Sequence, residues 1–342
     1  MEPRKLFINS ATRLRSGWRL AVFGLAFIAF LFLFTSAVRA VYAAGIYFAP
    51  SITLGFYVQD IVYRLILLTA SLAAGYVCAR LLEDLSWRSL GLTLHANWFR
   101  DLLIGTAIGI ASLALAATIA TVGGGLRFTV SAAGIFAQVA KTLGLSGALF
   151  IVAALAEEAL FRGYPLQTLT RARLAVLGVL LTSLPFAAVH LQNPNVAQGF
   201  TFVNTALAGV WLAVAYLRTR SLWFPLGVHW AWNWALGSLF GLPVSGITQI
   251  APHPLLQGAD LGPAWLTGGS YGIEGGLACT ITLVISTVFV WRTGLVSATD
   301  QMKMLTSQEN PKQRDAELPV VASTTIHEIT RNDTNRISCW FV

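Results

Sequence analysis

Charged residues are scarce in this chain of 342 residues. Only 11% of the residues are Asp, Glu, Lys or Arg, whereas 56% are hydrophobic. Soluble domains carry about 25% charged residues, so the composition excludes an ordinary soluble protein and predicts an integral membrane protein. The net charge of +8 does not imply nucleic acid as a partner, because the basic residues stand in short segments beside apolar stretches, as they do in membrane proteins.

Several motifs are missing as well. The three cysteines show no CxxC spacing, which argues against a disulfide framework and against a cysteine-based zinc site. The chain has no HExxH zinc-protease motif and no glycine-rich phosphate loop. It also shows no internal repeat of the kind often seen in transporters. Any chemistry must therefore come from polar residues within the apolar stretches.

Long apolar stretches are abundant. Runs of about 17–25 residues are long enough to cross a bilayer, and the first of them is too long for the core of a signal peptide, so we expect it to be retained. We predict an all-α polytopic membrane protein of about eight transmembrane helices. The predicted spans lie near 18–39, 59–80, 101–121, 144–166, 174–191, 199–217, 222–241 and 276–292.

The basic residues predict how the chain crosses the membrane. Four of them near the N-terminus, Arg4, Lys5, Arg13 and Arg15, place that end in the cytoplasm. An alternating path then puts the other basic segments on the same side, together with the C-terminus. These segments contain Arg80, Arg88, Arg171, Arg173, Arg218 and Arg220. We expect a bacterial inner membrane.

Four regions follow from this pattern. Residues 1–142 form an N-terminal transmembrane region of about three spans, and residues 143–241 form the functional core. Residues 242–297 contain a Gly- and Pro-rich outer loop and the last span. We expect a connecting loop there, with a lid as the alternative. The polar tail, 298–342, should be disordered.

The most unusual stretch runs from Leu149 to Pro165. It is apolar except for Glu157, Glu158 and Arg162, and each such charge at the bilayer centre costs roughly 2.5–3.5 kcal/mol, so these residues usually face a protein interior. Glu158 and Arg162 are one helical turn apart and can pair. Glu157 is left without that partner and can serve as an acid or base. A structural ion pair with a spectator glutamate is the alternative.

Two later spans each carry a histidine that lies one helical turn from a second candidate site residue. Phe186 precedes His190, and His229 precedes Asn233. Together with the glutamates they supply parts for hydrolysis, because a carboxylate and an imidazole can hold and deprotonate a water. An imidazole and a carboxamide can donate to an oxyanion. A purely structural polar network is again the alternative.

These three motifs, Glu157-Glu158-x-x-x-Arg162, Phe186-x-x-x-His190 and His229-x-x-x-Asn233, resemble the signatures of the CAAX-protease and bacteriocin-processing family of intramembrane endopeptidases. The resemblance covers roughly 143–240. It implies helices enclosing an intramembrane catalytic cavity that opens to the cytosol and the membrane.

The resemblance also implies a role for each residue. Glu157 would activate the attacking water, and His190 would orient that water or share its proton. His229 and Asn233 would stabilise the oxyanion, whereas Glu158, Arg162 and Phe186 would support the site.

Metal dependence stays open at this point. Glu157, His190 and His229 could form a three-ligand zinc site with one open position. The other reading, which we favour, is metal-free hydrolysis with the same groups.

The expected substrates are membrane-associated peptides or proteins. A catalytically silent family member that acts as a membrane scaffold or immunity factor is the main alternative function, and a proton-coupled transporter is a third.

One difficulty concerns depth in the membrane. If every span begins at the membrane surface, the helical rise of about 1.5 Å per residue separates His190 from His229 by more than 10 Å. The proposed chemistry requires a fold that removes this separation.

Overall fold

The computed structural model describes residues 4–9, 12–48, 54–132, 134–196 and 200–306. Within these ranges the chain is 74% helical and has almost no sheet. In chain order the helices are α1 Arg4–Phe7, α2 Ser16–Phe48, α3 Phe56–Glu83, α4 Trp98–Val122, α5 Phe136–Glu158, α6 Tyr164–Arg171, α7 Ala175–His190, α8 Phe200–Thr219, α9 Trp223–Trp234, α10 Ala264–Thr267, α11 Leu277–Arg292 and α12 Asp300–Thr306. Two short strands, β1 Leu126–Val130 and β2 Leu256–Asp260, pair antiparallel.

The helices confirm an all-α polytopic membrane protein. Each predicted span coincides with a helix, but five helical segments in the described part of the chain are long and apolar enough to cross a membrane. These are Ser16–Tyr47, Phe56–Glu83, Trp98–Val122, Phe136–Arg171 and Phe200–Thr219. The remaining three predicted spans correspond to the shorter helices α7, α9 and α11.

A π-helical turn joins α5 to α6. It spans Ala159–Gly163 and follows directly after Glu158. Pro165 lies just beyond it and has no N–H to continue the regular ladder, which favours a local change of register here. Such π turns are frequently found at functional sites, and this one carries Arg162.

Helices α4 and α9 pack at backbone distance. A Cβ atom built on Gly105 or Gly109 would collide with the carbonyl oxygens of Phe224 and Val228 respectively, and one on Gly227 would collide with Leu102 O. Small residues spaced in this way allow membrane helices to approach closely. These glycines therefore set where α9, and with it the His229 motif, lies against the bundle.

The basic segments meet at one end of the helices. Glu83, the last residue of α3, accepts hydrogen bonds from Arg19 of α2 at 2.8 Å and from Arg171 of α6 at 2.7 Å. The following segment, 84–97, folds across this end, where Gly91 O accepts a hydrogen bond from the N–H of Leu222 at 2.9 Å. We call this the basic end of the bundle.

The opposite end is covered by residues 242–276, which form an ordered structure rather than a plain connecting loop. Besides β2 and α10 this segment contains two short 3₁₀ turns. Asn204 of α8 donates to the carbonyl oxygens of Glu274 and Gly276 at 2.8 and 2.9 Å, and Tyr57 of α3 donates to Ile250 O at 2.6 Å. These bonds tie the segment to the helices beneath it.

The prediction of a disordered tail from residue 298 is wrong at its beginning. Residues 300–306 form α12, in which Met302 and Thr306 are buried. The physical reason is that this helix has a surface to pack on, and Arg220 also donates to Thr306 Oγ1 at 3.4 Å. The rest of the predicted tail lies outside the described residues.

Substituting Gly105 by Leu should separate α4 from α9, because the new side chain has no room against the backbone of α9. We expect overpacking of at least the usual 1–3 kcal/mol, seen as a lower midpoint of thermal unfolding in detergent. Gly24→Leu is the matched control, since nothing lies within 4 Å of a Cβ at that position. Equal midpoints for the two variants would contradict the assigned contact.

Candidate active site

Glu158 and Arg162 form a buried ion pair at the centre of the site. Both side chains are fully buried, and Arg162 Nη1 donates to Glu158 Oε1 at 3.1 Å. The same oxygen lies 2.8 Å from Nδ1 of His229, and Arg162 Nη2 donates to Gly209 O on α8 at 3.0 Å. The predicted helical pair therefore also joins α9 and α8 to the centre of the bundle.

Glu157 faces the two histidines. Its Oε2 atom lies 3.7 Å from His229 Nε2 and 4.0 Å from His190 Nε2. These distances exceed those of a direct hydrogen bond and are suited to bridging by one water. Three residues from separate helices, all predicted from sequence, thus surround one small space.

The tautomers of the histidines follow from their other contacts. His190 Nδ1 lies 2.6 Å from Phe186 O, and a carbonyl oxygen can only accept, so this nitrogen carries the proton. His229 Nδ1 donates to the Glu158 carboxylate for the same reason. In the neutral imidazoles both Nε2 atoms are consequently acceptors, and the space beside Glu157 Oε2 calls for a group that donates protons.

Phe186 packs among the charged and imidazole groups. Its ring centroid is 4.6 Å from the guanidinium carbon of Arg162 and 4.6 Å from the His190 ring. A guanidinium over an aromatic face is attracted by the ring quadrupole. Phe186 thereby helps to hold Arg162 and His190 in place, as its predicted supporting role requires.

A cavity of about 50 Å³ adjoins the histidines. This is enough for more than one water and well below the roughly 150 Å³ that hold a benzene molecule. Its walls combine apolar residues of α8, α9 and α11 with a smaller polar set. The polar residues include His190, Asn204, His229, Asn233, Ser245 and Glu274. Asn233 thus shares the cavity with both histidines.

His190 and His229 lie at a similar depth because α9 begins inside the protein rather than at its surface. His190 is the last residue of α7, 15 residues beyond its start at the basic end, whereas His229 is only six residues into α9. The start of α9 does not lie at the surface, however, because Ser221 and Leu222 are fully buried beneath Gly91. The deeper start brings His229 level with His190.

The donor atoms at the site are of the types that zinc binds. Within the described ranges, however, no group of three His, Cys, Asp or Glu side chains is placed so that it could hold a metal ion. The zinc site of Glu157, His190 and His229 therefore stays a prediction.

Two further polar residues at the site were missed from the sequence. Arg64 of α3 donates to Glu157 Oε1 at 3.2 Å. Glu274 of the outer segment accepts from Trp232 Nε1 at 2.9 Å and from the Ser245 N–H at 2.6 Å. Arg64 had a signal, since it is a charge within an apolar span. Glu274 had none, because the length of its loop allowed a lid but did not single out this residue.

Comparison with known proteins gives a family match for the central region of the chain. Residues 139–235 match the family model described as type II CAAX prenyl endopeptidase, Rce1-like. The match confirms the predicted resemblance and supports intramembrane protease activity in general. No curated protein gives a significant match to the chain.

Replacing Arg162 by Ala should destabilise the protein strongly, because it leaves Glu158 as a buried carboxylate without its cation. The expected loss is roughly 3–5 kcal/mol, measurable as a large fall in the unfolding midpoint in detergent. Arg80→Ala is the control on an exposed pair with Asp84 and should change little. An Arg162→Ala protein as stable as the Arg80→Ala protein would contradict the assigned burial.

Proposed function

We propose that this protein, whose residues 139–235 match the Rce1-like type II CAAX prenyl endopeptidase family model, is an intramembrane endopeptidase in which Glu157 activates a water for attack on a peptide bond. The observation that carries the proposal is the position of Glu157 Oε2, which faces the Nε2 atoms of His190 and His229 at 4.0 and 3.7 Å. The substrate would be a membrane-associated peptide or protein.

The first step uses both hydrogens of the water. One is donated to Glu157 Oε2 and the other to Nε2 of His190, which is an acceptor because Nδ1 bonds Phe186 O. The lone pairs of the water are then free for the substrate carbonyl carbon. As the new C–O bond forms, Glu157 takes the proton of the water.

The second step concerns the charge that develops on the carbonyl oxygen. His229 can donate to this oxygen through Nε2 only as an imidazolium, since its Nδ1 proton is already bound to Glu158. The Asn233 amide is the second donor. Glu157 finally passes its proton to the leaving amine, which restores the carboxylate as the C–N bond breaks.

The orientation we propose follows from the basic end. Basic segments mark the cytoplasmic side of membrane proteins, so this end and the N-terminus would face the cytoplasm of a bacterial inner membrane.

The proposal is tested by offering a library of membrane peptides to the detergent-purified protein. Glu157→Gln should fold normally, since the amide is nearly isosteric, and should lose cleavage completely. Asp84→Asn, at an exposed carboxylate of the basic end, is the control and should cleave like the wild type. Titrating a chelator into the wild type distinguishes metal-free hydrolysis, which is unaffected, from the zinc alternative.

Absence of cleavage by folded wild-type protein would contradict the proposal and favour the catalytically silent scaffold or immunity factor. Cleavage that persists in Glu157→Gln would contradict the role given to Glu157.

A further inference from the structure

Arg64 lies on α3, outside the region that matches the endopeptidase family, and belongs to none of the three sequence motifs. We propose that Arg64 is a positioning residue for Glu157, which holds one carboxylate oxygen so that the other is presented to the attacking water. The inference rests on the proposed hydrolytic function, and it makes α3 a necessary part of the active site.

The two oxygens of Glu157 have different neighbours. Oε1 accepts a hydrogen bond from Arg64 Nη1 at 3.2 Å, whereas Oε2 faces the Nε2 atoms of the two histidines. The terminal torsion of a glutamate has a broad energy minimum, so the carboxylate turns easily when it is free. A guanidinium attached to Oε1 restricts this rotation and keeps Oε2 directed at the water site.

Each of the two adjacent carboxylates has an arginine of its own. Glu158 is paired with Arg162 at 3.1 Å, and Glu157 has Arg64 at a similar distance. Neighbouring carboxylates repel when both are ionised, and a nearby cation favours the charged form. Glu157 must be ionised before it can accept a proton from water, and the Arg64 guanidinium beside Oε1 favours that state.

Arg64 also forms an ion-pair contact with Asp60, one helical turn earlier on α3, in which Nε makes no hydrogen bond. Arg64 Nε lies 3.5 Å from Asp60 Oδ2, so different nitrogens of one guanidinium contact Asp60 and Glu157. Arginine offers several donors in a fixed planar fork, whereas lysine offers a single point charge on a flexible chain. A lysine at this position should therefore supply the charge but lose part of the orientation.

The substitutions Arg64→Met and Arg64→Lys test the role kinetically, with Arg80→Met as the control on the same helix at an exposed pair. We expect kcat of Arg64→Met to fall about 10–100-fold with KM nearly unchanged, because the water rather than the substrate is affected. Arg64→Lys should recover part of kcat, and Arg80→Met should equal the wild type. An unchanged kcat, or a loss confined to KM, would overturn the inference.

A second measurement does not depend on catalysis. Arg64→Met is compared in the wild-type and the Glu157→Gln backgrounds by thermal unfolding in detergent. If Arg64 acts on Glu157, its loss should lower the midpoint at least twice as much when Glu157 can ionise, which is the coupling a double-mutant cycle measures. Equal shifts in both backgrounds would contradict the inference.

The two readouts separate the possible failures. Coupling without any peptide cleavage by the wild type would contradict the proposed function and leave the Arg64–Glu157 contact intact. Cleavage without coupling would contradict only the inference about Arg64. Should Arg64→Met fail to fold, Arg64→Lys in the same two backgrounds provides the comparison, with a smaller difference expected.

Discussion

Two adjacent carboxylates among membrane helices, Glu158 fully buried and Glu157 partly buried, are the constraint on which this structure depends. A buried carboxylate without partners costs several kcal/mol, and lipid offers it none. Glu158 accepts hydrogen bonds from Arg162, one turn later, and from His229 of α9. Glu157 accepts a hydrogen bond from Arg64 of α3 and faces His190 of α7. The groups that offset the cost of burying the glutamates include those that the proposed hydrolysis uses.

The rest of the fold brings these partners to the same depth. Gly105 and Gly109 allow α9 to approach α4 at backbone distance, and the segment folded across the basic end covers the start of α9 near Gly91. The outer segment encloses the other side of the cavity, where Glu274 holds Trp232, the residue directly before Asn233. Each of these contacts lies outside the site, yet each determines where an imidazole or amide of the site can lie.

Much of this arrangement could be predicted from the sequence. Each predicted apolar span coincides with a helix in the described part of the chain, and spacing by one turn predicted the Glu158–Arg162 pair. Depth was the harder quantity, because counting residues from the membrane surface assumes that each helix begins there. For α9 that assumption is wrong, since Leu222 is buried beneath Gly91. Glu274 could not be predicted, because the order of its Gly-rich segment comes from tertiary contacts such as those of Asn204.

The central claim is that Glu157 removes a proton from water and does not itself attack the substrate. The direct measurement is repeated turnover in water enriched in ¹⁸O, followed by mass spectrometry of the product and of the enzyme peptide that contains Glu157. Water activation predicts the label in the new carboxyl group of the product and none in Glu157. Label in the Glu157 side chain would instead reveal a covalent anhydride with the substrate and would contradict the account.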